Sequence, residues 1–365
     1  MKEKSIRIMI VDDSAVARKR YTDIIKNSKE NIKVVTTATD GKICLTKLEI
    51  PKFKPDIILM DIVMPQMDGI TTIGHIMDRF PTPVLVVSQL KQKEVDRALS
   101  NLGMSAFESG AVEFIRKPDP KNEVDSKRFE RELLRKIKSL SPIDLLKVFT
   151  GFDLNLFLSE EKDAKVIEKI PALAPPDEKN RVIVIGASTG GPRAISLVLS
   201  NFPKKFPPVF VVQHMPEIMM ESWVQRLERL YPDLNIKLAK NKSYIKSNTV
   251  YVAPGGVHLR VQKNKRIQLY HGEKVNFVIP AIDVTLESAA KVYKKGTLGV
   301  ILTGMGKDGT DGAKVVKEFG GRVIAEDEST CVIFSMPKNV IKQNLADLIS
   351  PLHNIHSAIK RIGWM

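Results

Sequence analysis

Short apolar runs separated by stretches of helical periodicity set the pattern of the first third of the chain. Ile6 to Val11, Ile32 to Thr37, Asp56 to Met60, Pro83 to Val87 and Ala111 to Ile115 read as buried strands, with helical stretches between them. Alternation of this kind predicts a doubly wound parallel sheet. Residues 121–140 place Phe129, Leu133, Ile137 and Leu140 on one helical face, which closes the domain by packing on it. The regularity is lost over 141–180, which ends in the connector-like Ala174-Pro-Pro-Asp-Glu-Lys-Asn180. Phe149, Phe152, Leu154, Leu156, Phe157 and Leu158 are too apolar for a free tether, so part of this stretch is expected to dock on a domain. A second series opens at Arg181-Val-Ile-Val-Ile185 and continues through Val209-Phe-Val-Val212 and Gly299-Val-Ile-Leu302. The expected organisation is α/β throughout: a doubly wound domain at 1–125, a helix and linker at 126–180, and a second doubly wound, parallel-sheet α/β domain at 181–350.

Composition narrows this picture without changing it. The 365 residues suffice for two cores, and 43% hydrophobic with 27% charged residues is the balance of a globular protein. No run of about 18 apolar residues is present, and Met-Lys-Glu-Lys-Ser5 leads directly into a strand pattern rather than a signal peptide, so a cytoplasmic protein without membrane insertion is expected. Cys44 and Cys331 are too few and too distant for a disulfide framework. The formal charge of +15 is unevenly placed. Residues 1–120 hold 19 basic and 16 acidic side chains, 121–180 hold 12 of each, and 181–365 hold 26 and 14, giving +3, 0 and +12. That excess is spread out rather than gathered in an arm with interleaved aromatics. It argues for an acidic protein partner and against nucleic acid.

In a doubly wound sheet, ligands gather at the carboxyl ends of the strands. Asp12 and Asp13 end the first strand, Asp61 the third and Ser88 the fourth, and Lys117-Pro118 closely follows the fifth. Converging carboxylates repel one another unless a cation neutralises them, and Mg2+ with oxygen ligands Asp12, Asp13 and Asp61 does so while leaving room for a phosphoryl oxygen. Asp61 is then placed as a nucleophile toward phosphate, with Lys117 balancing the new charge and Ser88 donating a hydrogen bond to it. Solvated loop residues are the simpler alternative, and they account poorly for five polar groups at successive strand ends.

With Val11-Asp12-Asp13-Ser14, Met60-Asp61-Ile-Val-Met-Pro-Gln-Met-Asp-Gly69 and Lys117-Pro118, residues 5 to about 120 resemble a response-regulator receiver domain. The resemblance implies the flavodoxin-like form of the doubly wound sheet. It implies that Asp61 accepts a phosphoryl group from a histidine kinase and that Ser88 and Phe114 report phosphorylation to the surface. Ser88 stands where many receivers have threonine, which preserves the hydroxyl.

In the second half, Gly186-Ala-Ser188-Thr-Gly190 fits G-x-S-x-G at a strand-to-helix junction. Glycines there permit a sharp turn that exposes the serine, and the helix N-terminus favours an oxyanion. A phosphate loop or a plain strand-helix turn are the alternatives. The G-x-G-x-x-G spacing fails and no phosphate-loop lysine follows. Among six histidines, His214 ends the strand Val209-Phe-Val-Val212, with His258 its rival beyond Ala253-Pro-Gly-Gly256. His75, His271, His353 and His356 read as surface or packing residues. Asp308 follows Gly299-Val-Ile-Leu-Thr-Gly-Met-Gly306, and capping of the helix beginning near Thr310 is its alternative role. Three strands thus each end in one member of a Ser, His, Asp set, in a chain order unlike the α/β-hydrolases.

Residues 181 to about 345 resemble the catalytic domain of the chemotaxis protein-glutamate methylesterases, the CheB family, whose members join it to a receiver. The motifs are Gly186-Ala-Ser-Thr-Gly-Gly191, Gln213-His-Met-Pro216, Ala253-Pro-Gly255, Leu302-Thr-Gly-Met-Gly306 with Asp308-Gly309, and Asp327-Glu328 with Cys331. The resemblance implies a phosphorylation-activated esterase in which Ser188 attacks a glutamate methyl ester on a chemoreceptor. His214 then shuttles the proton, Asp308 orients His214, and Thr189 and Met305 stand at the reaction centre with the Met305 N–H on the oxyanion. No cofactor is implied for the esterase. Many relatives also deamidate receptor glutamines by the same acyl chemistry, with ammonia as the leaving group. Val275-Asn-Phe-Val-Ile-Pro280 departs from the family, which usually has arginine and histidine before that proline. An unphosphorylated receiver that covers the Ser188 cleft is the expected form of control. A phosphorylation-controlled docking or scaffold protein with a silent esterase-like domain is the competing reading, and a DNA-binding regulator is disfavoured because no helix-turn-helix replaces the second α/β pattern.

Overall fold

The structure is a computed structural model that describes residues 5–88, 113–119, 121–140, 177 and 180–365. The docking of the apolar connector residues 149–158 lies outside the described residues. The chain divides into two compact units, Met1–Leu145 and Leu146–Met365.

In the first unit, β1 (Ile6–Val11), β2 (Ile32–Ala38), β3 (Ile57–Met60), β4 (Val84–Ser88) and β5 (Glu113–Arg116) form a parallel sheet in the order β2-β1-β3-β4-β5. The described helices are α1 (Ala15–Asn27), α2 (Gly41–Leu48), α3 (Gly69–Arg79) and α4 (Glu123–Leu140). This is the doubly wound parallel sheet anticipated from the strand pattern, in the flavodoxin-like order, which reverses between β1 and β3. Side-chain caps fix where the helices begin: Ser14, Asp40 and Asp68 accept from the N–H groups of Ala17, Ile43 and Thr71. The apolar face of α4 is buried through Phe129, Leu133, Ile137 and Leu140. Tyr21 packs on Phe129 with ring centroids 5.7 Å apart, and Lys136 pairs with Glu113 of β5 at 3.0 Å.

The second unit has a parallel seven-stranded sheet in the order β14-β13-β12-β6-β7-β9-β8. Its strands are β6 (Val182–Ala187), β7 (Val209–Gln213), β8 (Asn235–Leu238), β9 (Thr249–Val252), β12 (Thr297–Ile301), β13 (Arg322–Glu326) and β14 (Leu348–Ser350). An antiparallel hairpin, β10 (His258–Val261) with β11 (Ile267–Tyr270), is added to the parallel-sheet plan. The described helices are α5 (Gly191–Ser200), α6 (Glu217–Leu230), α7 (Ile282–Tyr293), α8 (Thr310–Glu318), α9 (Met336–Lys342) and α10 (Ile355–Arg361). Beyond β14, Ile355 and Ile359 of α10 are buried, and Trp364 is buried with its indole N–H on the Gly296 carbonyl at 3.1 Å. From β6 the chain winds one way through β7, β8 and β9 and then returns to β12 on the other side of β6. The switch point therefore lies between β6 and β12, where a ligand crevice is expected.

Candidate functional site

In the first unit, Asp12 follows β1, Asp61 follows β3, and Ser88 is the last residue of β4. Asp61 takes a hydrogen bond on Oδ1 from the Ser88 hydroxyl at 2.9 Å, and Lys117 Nζ reaches its Oδ2 at 2.5 Å. The same ammonium lies 2.8 Å from Asp12 Oδ2. Burial pushes the Asp12 carboxyl above its ordinary range, although Lys117 pulls the other way. Burial would lower the Lys117 ammonium, but Asp61 and Asp12 outweigh it and the net direction is upward. Asp13 is exposed, and the ligand oxygens of Asp12, Asp13 and Asp61 all lie within 4.8 Å of one another. Three hard oxygen donors beside a lysine suit a small divalent cation. Phe114 is buried within β5, next to Glu113. Gly69 admits no side chain: a Cβ there would fall 2.1 Å from the Asp61 carbonyl oxygen, so the glycine lets the loop after β3 close over the start of α3.

In the second unit the sheet register brings the predicted groups together. Ala187 is paired with Gln213, so Ser188 and His214 leave adjacent strand ends side by side, and the His214 N–H bonds the Ala187 carbonyl at 3.1 Å. On the other side of β6 the Ser188 N–H bonds the Thr303 carbonyl at 3.0 Å. The turn into α5 is made by Gly190, which has φ of 80° and where a Cβ would lie 2.6 Å from Val332. Ser188 itself is not among the residues with positive φ. The sharp bend therefore falls two residues after the serine, unlike the strained nucleophile position of the α/β-hydrolases.

His214 Nε2 lies 2.8 Å from Asp308 Oδ2, and its buried Nδ1 has no hydrogen-bond partner among the described residues. With Nε2 as the donor, Nδ1 is the basic nitrogen. Asp308 is almost fully buried and anchored by backbone: Oδ2 accepts from Ile282 N at 2.7 Å, and Oδ1 from Asp283 N at 3.2 Å. Burial raises the Asp308 carboxyl, but the His214 hydrogen bond and charge and these two N–H groups prevail and hold it below the usual carboxylate range. The capping role considered for Asp308 thus exists, but on the N-terminus of α7 rather than on α8, where Gly309 is the cap residue.

The rival His258 is buried between the Glu273 carbonyl and the Ala281 N–H, which makes it a packing residue of the hairpin. His356 packs on Phe202, and His75 and His271 are exposed. Thr189 is buried and Met305 half-buried, in the loops that follow β6 and β12.

Three groups to which the sequence reading gave no role hold the site together. Gln213 donates from Nε2 to the carbonyls of Ser188 and His214, both at 2.8 Å, and clamps the two strand ends. Thr303 donates from Oγ1 to the Thr189 carbonyl at 2.9 Å and accepts from Ile333 N at 2.9 Å. Glu326, fully buried at the end of β13, accepts from Thr303 N at 2.7 Å and from the Thr330 hydroxyl at 3.0 Å, and burial pushes its carboxyl up to about 7. A glutamine or glutamate terminating an apolar strand was the available signal.

Two family models match the chain: the response regulator receiver domain over residues 8–127, and CheB methylesterase over residues 183–359. The protein-glutamate methylesterase/protein-glutamine glutaminase of Thermotoga maritima is 39% identical over 359 residues, which cover 97% of this chain and 98% of that one. The chain belongs to the CheB methylesterase family. A second member, protein-glutamate methylesterase/protein-glutamine glutaminase 2 of Methanosarcina mazei, is 37% identical over 99% of this chain and 97% of its own length. Among solved structures, the CheB methylesterase catalytic domain of Thermotoga maritima is 46% identical, covers 50% of this chain and 98% of its own, and gives a TM-score of 0.48. The family accounts for the receiver and the esterase on one chain. Among the described residues, no helix is long and apolar enough to cross a membrane.

Proposed function

We propose that this chain is a phosphorylation-activated protein-glutamate methylesterase acting on chemoreceptors in the cytoplasm, with Ser188, His214 and Asp308 as its catalytic groups. The observation that carries the assignment of roles is the His214–Asp308 pair, which leaves a buried, unpartnered Nδ1 beside the strand end that bears Ser188. Ser188 Oγ attacks the ester carbonyl carbon while its proton passes to His214 Nδ1. The resulting imidazolium is held through Nε2 by the ionised Asp308. The oxyanion is stabilised by the N-terminus of α5 and the Met305 N–H, with Thr189 at its side. The C–O bond to methoxide breaks as His214 returns the proton, and methanol leaves. Water then repeats the sequence on the acyl-enzyme, releasing the glutamate carboxyl and restoring Ser188. An amide substrate follows the same route with ammonia as the leaving group, so deamidation of receptor glutamines is chemically within reach.

Asp61 is the phosphoacceptor, taking the phosphoryl group of a histidine kinase on a carboxylate oxygen. When bound by Asp12, Asp13 and Asp61, Mg2+ supplies positive charge to the phosphoryl oxygens. Lys117 and Ser88, already on Asp61, move to the new oxygens, and Phe114 follows Ser88. The +12 balance of residues 181–365 favours an acidic helical receptor surface over nucleic acid.

Methanol release from methylated receptor membranes tests this reading. Wild type should release methanol faster with a small phosphodonor, Ser188→Ala should release none, and Asp61→Ala should keep a basal rate that the phosphodonor does not raise. A wild-type protein that releases no methanol would move the reading to the docking protein.

A further inference from the structure

Asp308 has two carboxylate oxygens, and the esterase mechanism uses one. Oδ2 faces His214 and Ile282 N, whereas Oδ1 faces Asp283 N and, at 3.3 Å, the carboxamide nitrogen of Asn276. The same Asn276 Nδ2 lies 2.7 Å from Oδ2 of Asp283, whose Oδ1 accepts from Gly312 N at 2.6 Å. Asp283 and Asp308 are both nearly buried. One amide nitrogen thus bridges two carboxyl groups in the interior. Without a donor between them the pair repels itself, and relief comes by protonation or by movement of Asp308 away from His214. Burial and the Asp308 charge do raise the Asp283 carboxyl.

The backbone shows what it takes to put the amide there. Val275 and Val278 exchange both of their backbone hydrogen bonds, and the two residues between them, Asn276 and Phe277, have φ of 51° and 67°. Two successive left-handed residues make the tight hairpin turn that Asn accepts well and Phe poorly. The Phe277 ring at the tip is 93% exposed. The turn therefore aims one side chain inward at the catalytic acid and leaves its neighbour in solvent.

We propose that Asn276, with Asp283 as its counter-anchor, is a positioning residue for ester hydrolysis: its amide holds the outer oxygen of Asp308, so that the inner one stays on His214 Nε2. This rests on the esterase reading above, and its test separates the two.

The test uses the full chain with Asn276→Gly, Asn276→Asp and Phe277→Ala. Glycine accepts the positive φ and removes only the amide, so it is the variant best able to fold. Aspartate places a third carboxylate between the other two. Phe277→Ala changes the same turn outside the network and serves as the control. Steady-state hydrolysis of methylated receptor membranes gives kcat and KM, and the downfield proton resonance of the His214–Asp308 hydrogen bond reports the pair directly.

The expected result for Asn276→Gly is a kcat roughly ten- to a hundredfold lower, the range set by loss of a hydrogen bond to a charged group, with KM within about twofold and the resonance displaced. Asn276→Asp should lose more, and Phe277→Ala should match wild type in kcat and resonance. Asn276→Gly with wild-type kcat, or with reduced kcat and an unmoved resonance, overturns the inference. Wild type without turnover overturns the esterase reading instead, and the resonance still decides whether Asn276 positions Asp308.

Discussion

The two polar centres of this chain occupy equivalent places, the carboxyl ends of parallel strands at a switch point, yet they are held in different ways. Asp61 is held chiefly by side chains, Ser88 at 2.9 Å and Lys117 at 2.5 Å, while its one backbone contact among the described residues, from Val63 N, is a long 3.4 Å. Asp308 takes two N–H groups from the start of α7 in addition to its side-chain bonds to His214 and Asn276. A side-chain donor can swing to a new acceptor at the cost of a rotamer change, whereas a backbone N–H at a helix terminus cannot move without the helix. Movable donors suit the role proposed for Asp61, which is to accept a new charge and signal it. Backbone donors suit the role proposed for Asp308, which is to hold one geometry for the His214 imidazolium.

Substitutions at the second of these centres should separate the two most visibly. Ser188→Ala is expected to lower kcat by at least about a thousandfold, and Asp308→Asn by about a hundredfold or more, because the carboxamide no longer enforces the His214 tautomer. Both changes should leave phosphorylation of Asp61 intact, as measured with a radiolabelled phosphodonor. A smaller effect is expected at the first site: Lys117→Ala should retain the basal esterase rate within about threefold and lose most of the stimulation, since only the switch depends on that ammonium. An equal fall in basal rate would show that the two centres are not separable in this way.

Glu326 sharpens the contrast from the side of stability. Its carboxyl, at about 7 in the folded chain against an ordinary 4.5, binds its proton more tightly folded than unfolded. The stabilising contribution is therefore complete below about 4.5 and is lost as pH rises through about 7. Replacing it by glutamine keeps an acceptor for Thr303 N and removes the titration. Relative to wild type, Glu326→Gln should gain stability between about pH 5 and pH 8, on the order of 2 kcal/mol, as read from urea unfolding. Parallel wild-type and variant curves would contradict this. The smallest effect expected is that of salt. Steering by the +12 balance of residues 181–365 should give a several-fold fall in kcat/KM between low and high ionic strength, with kcat unchanged.

Much of this was legible before the fold. The strands that carry Asp12, Asp61, Ser88, Ser188 and His214 show as apolar runs ending in a polar residue, because a strand buried on both faces tolerates polarity only at its rim. The sequence did not show which helix Asp308 caps, since α7 lies 25 residues upstream of it and meets it only through the tertiary fold. It did not show Glu326 or Gln213 as part of the site, because their roles are hydrogen bonds to the backbone of loops far away in sequence. The hairpin of β10 and β11 was also missed, its strands being only four residues each. Asn276 was read only as part of a segment that departs from the family, and the left-handed turn and the hydrogen bond to Asp308 reveal that its amide points inward.

The central claim, that Ser188 is a nucleophile activated through His214 and Asp308, is tested most directly by labelling the intact chain with a fluorophosphonate and locating the adduct by peptide mass spectrometry. A single adduct on Ser188 is expected in wild type, formed faster with a phosphodonor present and strongly slowed in Asp308→Asn. An unlabelled Ser188, or labelling that proceeds equally fast in wild type and Asp308→Asn, would contradict it.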